Sequence, residues 1–60
     1  MLEGSGLTEK NPSLLNTLGV AYARSGEMHE AERTFRRAAE QGSDEARRNL
    51  EQIRQVIDQL

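Results

Sequence analysis

The sequence predicts an all-α chain: an antiparallel helix-turn-helix followed by a third amphipathic helix. Three observations predict it. Apolar residues recur at spacings of three and four in three separate stretches, the period of a helix with one buried face. Gly26 and Gly42 fall between those stretches, where a residue free to take the left-handed conformation closes a helix. Asn11 and Ser43 stand just ahead of the first and third stretches, and short polar side chains of this kind accept from the free amides of a first helical turn.

Asn11-Pro12-Ser13 starts the first helix, because proline is tolerated where the amide has no intrahelical acceptor. That helix is expected over residues 13–24. Leu14, Leu15, Leu18, Ala21 and Tyr22 make a broad apolar stripe, widened by Val20 and Ala23. Gly19 lies inside it and weakens the helix by about 1 kcal/mol relative to alanine. Close approach of another helix is the packing reason for a missing side chain there.

Ser25-Gly26 ends the first helix, and Glu27 sets a negative charge at the amino end of the next. The second helix is expected over residues 28–41, with Met28, Ala31, Phe35, Ala38 and Ala39 on one face. Phe35 is the large aromatic of that face, and the alanines around it point to close helix approach. Glu30 with Arg33 and Glu32 with Arg36 fall at helical spacing on the outer face, each pair contributing a few tenths of a kcal/mol.

Gly42 stops the second helix, Ser43 caps the third, and Asp44 and Glu45 supply first-turn acids. The third helix is expected over residues 44–59. Ala46, Leu50, Ile53, Ile57 and Leu60 alternate spacings of four and three, with Val56 beside them. This seam is shorter than a coiled coil needs. Two arrangements therefore stay open: packing on its own chain, and pairing with another copy through Leu50, Ile53, Ile57 and Leu60. The expected core is Leu15, Leu18, Tyr22, Ala31, Phe35, Ala38, Leu50, Ile53 and Ile57.

Sixty residues make one small unit, whose core is too limited to stabilise it by a wide margin. There is no cysteine, hence no disulfide framework, thiolate metal site or thiol nucleophile. Help from a neighbouring repeat or a second copy is the remaining route to stability. A formal net charge of −2 with both signs interspersed argues against a nucleic-acid or anionic-membrane footprint. Met1 to Gly6 carries no basic and apolar run, so neither a secretory leader nor a membrane span is expected. The cytoplasm is the default compartment. Residues 1–6 read as a linker or cloning scar and residues 7–11 as a lead-in.

Leu18-Gly19, Tyr22, Ala31, Phe35 and Ala38, with Gly26 at the turn, resemble the spacing of a tetratricopeptide repeat, a helix-turn-helix of 34 residues. The resemblance covers residues 12–45. Leu15 stands where that family commonly has tryptophan, and Ser43 where it commonly has proline. Leu50 follows Leu18 by 32 residues, with Glu51 in place of the next glycine. Residues 44–60 thus resemble the capping helix that covers the last repeat of an α-solenoid. Ala38-Ala39-Glu40-Gln41-Gly42 is also similar to Sel-type relatives, whose longer interhelix loop is absent.

The resemblance implies a scaffold for protein or peptide binding on a concave face. It would carry Asn16, Val20, Ala23 and Arg24 from the first helix and Arg48, Asn49, Gln52 and Gln55 from the third. The carboxylate clamp of the chaperone-binding members is not expected, since Asn16 and Val20 replace its first-helix lysine and asparagine.

Catalytic chemistry is not expected. His29 and Glu30 open a zinc-protease pattern, but residue 33 is arginine and the second imidazole is missing. Glu27, Glu30, Glu32, Glu40 and Glu51 lie on polar faces, and Ser13, Ser25 and Ser43 sit at helix ends, where capping accounts for them. Arg33, Arg36, Arg37, Arg47, Arg48 and Arg54 are interleaved with acids and lack an aromatic platform, so no nucleic-acid partner is expected. Neither cofactor nor metal is called for. Two functions remain: a module offering its concave face to a peptide or protein, and a structural unit whose copies dimerise or oligomerise through exposed repeat faces and the third helix. A lone repeat should expose Leu14, Leu18, Tyr22 or Phe35 unless the third helix folds back over it completely.

Overall fold

The computed structural model describes residues 11–60; the linker assignment at 1–6 and the lead-in up to residue 10 lie outside them. The described residues form three α-helices: α1 (Pro12–Arg24), α2 (Met28–Glu40) and α3 (Asp44–Asp58). The fold is all-α, as expected, with α1 packed on α2 and α2 on α3 as consecutive helix-turn-helix pairs.

Each boundary has a local cause. The Asn11 side chain accepts from the Ser13 and Leu14 amides at 3.0 and 3.2 Å, so helical geometry begins at Pro12, one residue earlier than expected. The Ser43 hydroxyl accepts from the Ala46 amide at 3.1 Å. Gln41 and Gln59 are C-caps rather than helical residues, which shortens α2 and α3 by one residue each.

The two junctions are built alike. Gly26 has φ +86° and Gly42 φ +104°. In the first, the Glu27 amide reaches back to the Tyr22 carbonyl at 2.9 Å and Gly26 to Ala23 at 3.1 Å; in the second, Ser43 reaches Ala38 at 3.1 Å and Gly42 reaches Ala39 at 3.0 Å. This paired pattern satisfies carbonyls that a helix end leaves free, and it reverses the chain within three residues.

The core lies along α2. Leu15, Ala31, Phe35, Ala38, Ala46 and Ile53 are buried, with Tyr22, Leu50 and Ile57 half-buried against them. Phe35 is the hub, because Gly19 lets α1 come up against its ring. Thr34 is also buried, its hydroxyl donating to the Glu30 carbonyl at 2.8 Å. Leu18 corrects the expected core: it stays 37% exposed. Three positions along from Leu15, it is turned about 60° around the helix, onto a flank that no described helix covers. Ala46 takes a fully buried place instead, since α3 crosses α2 close enough that only a methyl group fits. Of the four residues named for exposure on a lone repeat, Leu14 and Leu18 are exposed, Tyr22 is half-buried and Phe35 is buried.

Candidate functional site

α1 and α3 both pack on α2 but touch each other at few positions, which leaves a groove of about 320 Å³ between them. Val20, Ala23 and Arg24 line it from α1, and Asn49, Gln52, Ile53 and Val56 from α3. Met28 and Phe35 contribute from α2. Helical periodicity explains the set: positions 20, 23 and 24 share one side of α1, and positions 49, 52, 53 and 56 one side of α3.

At the amino-terminal side of the groove the Asn49 amide nitrogen donates to the Asn16 side-chain oxygen at 2.9 Å. Both residues are partly buried, so this bond fixes the spacing of α1 and α3 where they are not held by apolar packing. Beyond it the groove is mainly hydrocarbon, and Val56 remains 41% exposed.

The residues expected on the concave face divide three ways. Val20, Ala23, Arg24, Asn49 and Gln52 come together in the groove. Asn16 sits beside it, engaged with Asn49. Arg48 is exposed without lining it, and Gln55 lines a separate shallow hollow with Glu32, Arg54, Ile57 and Asp58. Glu32 in that hollow is paired with Arg36 at 3.2 Å. Met28, Phe35, Ile53 and Val56 complete the groove without having been assigned to it. The apolar positions of α2 and α3 were the available signal, but periodicity alone does not separate a residue at the base of a groove from one in the core.

The seam considered for pairing between copies is turned largely inward. Ile53 is buried, Leu50 and Ile57 pack half-buried on the core, and Leu60 lies past the end of α3 at 84% exposure. Of the two arrangements left open, α3 takes the one that packs on its own chain.

His29 is exposed in the first turn of α2. Among the described residues no three histidines, cysteines or carboxylates are gathered as a metal site would require, and no helix is long and apolar enough to cross a membrane. Comparison with family models, with curated proteins and with solved structures gives no match to this chain.

Proposed function

We propose that this chain is a protein-interaction module of the tetratricopeptide type, one helical pair with a capping helix from an α-solenoid, and that it holds a peptide segment between α1 and α3. The observation that carries the reading is the make-up of the groove. Its apolar surface comes from Val20, Ala23, Met28, Phe35, Ile53 and Val56, and its polar positions are Arg24, Asn49 and Gln52. Apolar concavities with a few placed polar groups are the common form of binding site. A volume of about 320 Å³ suits a short run of side chains rather than a folded domain. Arg24 offers a charge to a carboxylate on the segment, and the amides of Asn49 and Gln52 suit a peptide backbone. The activity is recognition without catalysis.

Selection of a random-peptide display library against the full chain tests the reading. Val56→Glu places a charge on the groove wall at an already exposed position, and should weaken selected peptides by about tenfold or more with helicity unchanged. Gln55→Ala, in the other hollow, should leave them unaffected. Failure to select any peptide, or binding indifferent to Val56→Glu, would overturn it.

A further inference from the structure

α1 differs from its neighbours in what it shows to solvent. Exposed positions on α2 and α3 carry charges such as Glu30, Arg33 and Arg36 or Arg47, Glu51 and Arg54, whereas Arg24 is the single charged residue of α1. Val20 and Ala23 look into the groove. On the other flank, Asn11, Leu14, Leu18, Ala21 and Ser25 recur at spacings of three and four, and all five are exposed and uncharged. Leu14 is 49% and Leu18 37% exposed. Uncovered leucines along an otherwise uncharged strip are the composition of an interface centre rather than of a solvated face.

We infer that this flank is the contact between two copies of the chain, their α1 helices lying antiparallel about Leu18. The contact requires a surface complementary to itself, and this one is. An antiparallel register centred on Leu18 sets Leu18 against its own copy, Leu14 opposite Ala21, and Asn11 opposite Ser25. Large then meets small and polar meets polar, with no charge near the two-fold axis to confront its like. The α3 seam cannot serve in its place, because Leu50, Ile53 and Ile57 are engaged in the chain's own core. The 13 residues of α1 rise about 20 Å, so the contact is at the small end of specific interfaces and the dimer depends on concentration. The groove lies on the opposite flank of α1 and stays open in the dimer.

Sedimentation equilibrium over a wide concentration range, with circular dichroism on the same samples, tests this. The full chain should pass from monomer to dimer as concentration rises. Leu18→Glu, at an exposed position, should keep its helicity and raise the dissociation constant by about a hundredfold, since two carboxylates then meet at the axis. Because the chain has no cysteine, mild oxidation of a Leu18→Cys variant gives a second measure: it should form a disulfide-linked dimer far faster than Arg33→Cys on α2. A wild-type chain that is monomeric throughout, a dimer unaffected by Leu18→Glu, or equal cross-linking of the two cysteine variants would each overturn the contact. A monomer whose Leu18→Glu form loses helicity would overturn it too, assigning the flank to residues 1–10 of the same chain.

Discussion

The ring of Phe35 lies against the backbone of Gly19 so closely that a Cβ built on Gly19 would stand 2.5 Å from Cε1 and 2.6 Å from Cδ1. This is the contact around which α1 and α2 are set. Replacing Gly19 by alanine removes a helix penalty of about 1 kcal/mol, but it overpacks a buried ring, which costs about 1–3 kcal/mol. The ring is the far larger partner and is held in the core, so overpacking wins. Gly19→Ala should lower stability by about 1–2 kcal/mol, read from the midpoint of chemical denaturation. The double variant Gly19→Ala with Phe35→Leu should lose less than the two single losses added together, because a leucine leaves room for the methyl group. Strict additivity would mean that the close approach is not what limits residue 19.

Gly26 and Gly42 make the opposite case. A Cβ at either would meet nothing within 4 Å, so the penalty for alanine is confined to the backbone. Left-handed backbone costs an L-residue about 1–2 kcal/mol, and Gly42 at φ +104° lies farther than Gly26 at φ +86° from the left-handed centre near about +57°. Gly42→Ala should therefore destabilise more than Gly26→Ala, and Gly26→Asn less than either. Thermal unfolding followed at the helical signal ranks the three.

Much of the fold was legible because its signals are local. Asn11, Ser43, Gly26 and Gly42 act within a few residues of themselves, and helix ends follow from such contacts to within one residue. The inward face of α2 was legible for a related reason, since Ala31, Phe35 and Ala38 sit on a helix packed on both sides. α1 was less so. Its apolar stripe runs round more of the helix than a single neighbour can cover, and nothing in the spacing tells which edge stays bare. Leu18 and Leu15 read alike until α2 is placed. Ala46 and Thr34 were missed in the reverse direction: a small or polar side chain becomes buried through tight helix crossing, a property of the pair rather than of either sequence. In the groove, Val20, Ala23, Arg24, Asn49 and Gln52 followed from the resemblance to paired repeats. Gln55 did not join them because it is turned toward Glu32.

The Asn16–Asn49 bond joins residues on α1 and α3 across 33 positions of sequence, where the two helices have little other contact. Removing one partner leaves the other amide partly buried and short of a partner, which costs about 1–3 kcal/mol, whereas the net worth of the intact bond is about 0.5–1.5 kcal/mol. Asn49→Leu should therefore destabilise more than the paired change Asn16→Leu with Asn49→Leu, in which both polar groups are gone. Urea midpoints of the single and double variants give the comparison. A double variant weaker than both singles would place the value of the pair in packing rather than in the bond.

The two junctions differ in one respect that makes a stabilising change foreseeable. Ser43 bonds the amide three residues on at 3.1 Å, while Glu27, in the equivalent place before α2, makes no side-chain cap bond. Its carboxylate stands on a stem too long for the short cap geometry, so it acts on the helix end through its charge alone. Aspartate keeps that charge and brings the oxygen within reach of the first-turn amides. Glu27→Asp should therefore raise stability by about 0.5–1 kcal/mol, and Ser43→Ala should lower it by about 0.5–2 kcal/mol. The backbone at Glu27 has ψ 73°, compared with ψ 112° at Ser43, and this difference decides the outcome. If denaturation midpoints show no gain for Glu27→Asp, the turn holds residue 27 out of capping range, and its junction is stabilised by the Gly26 reversal and not by a cap.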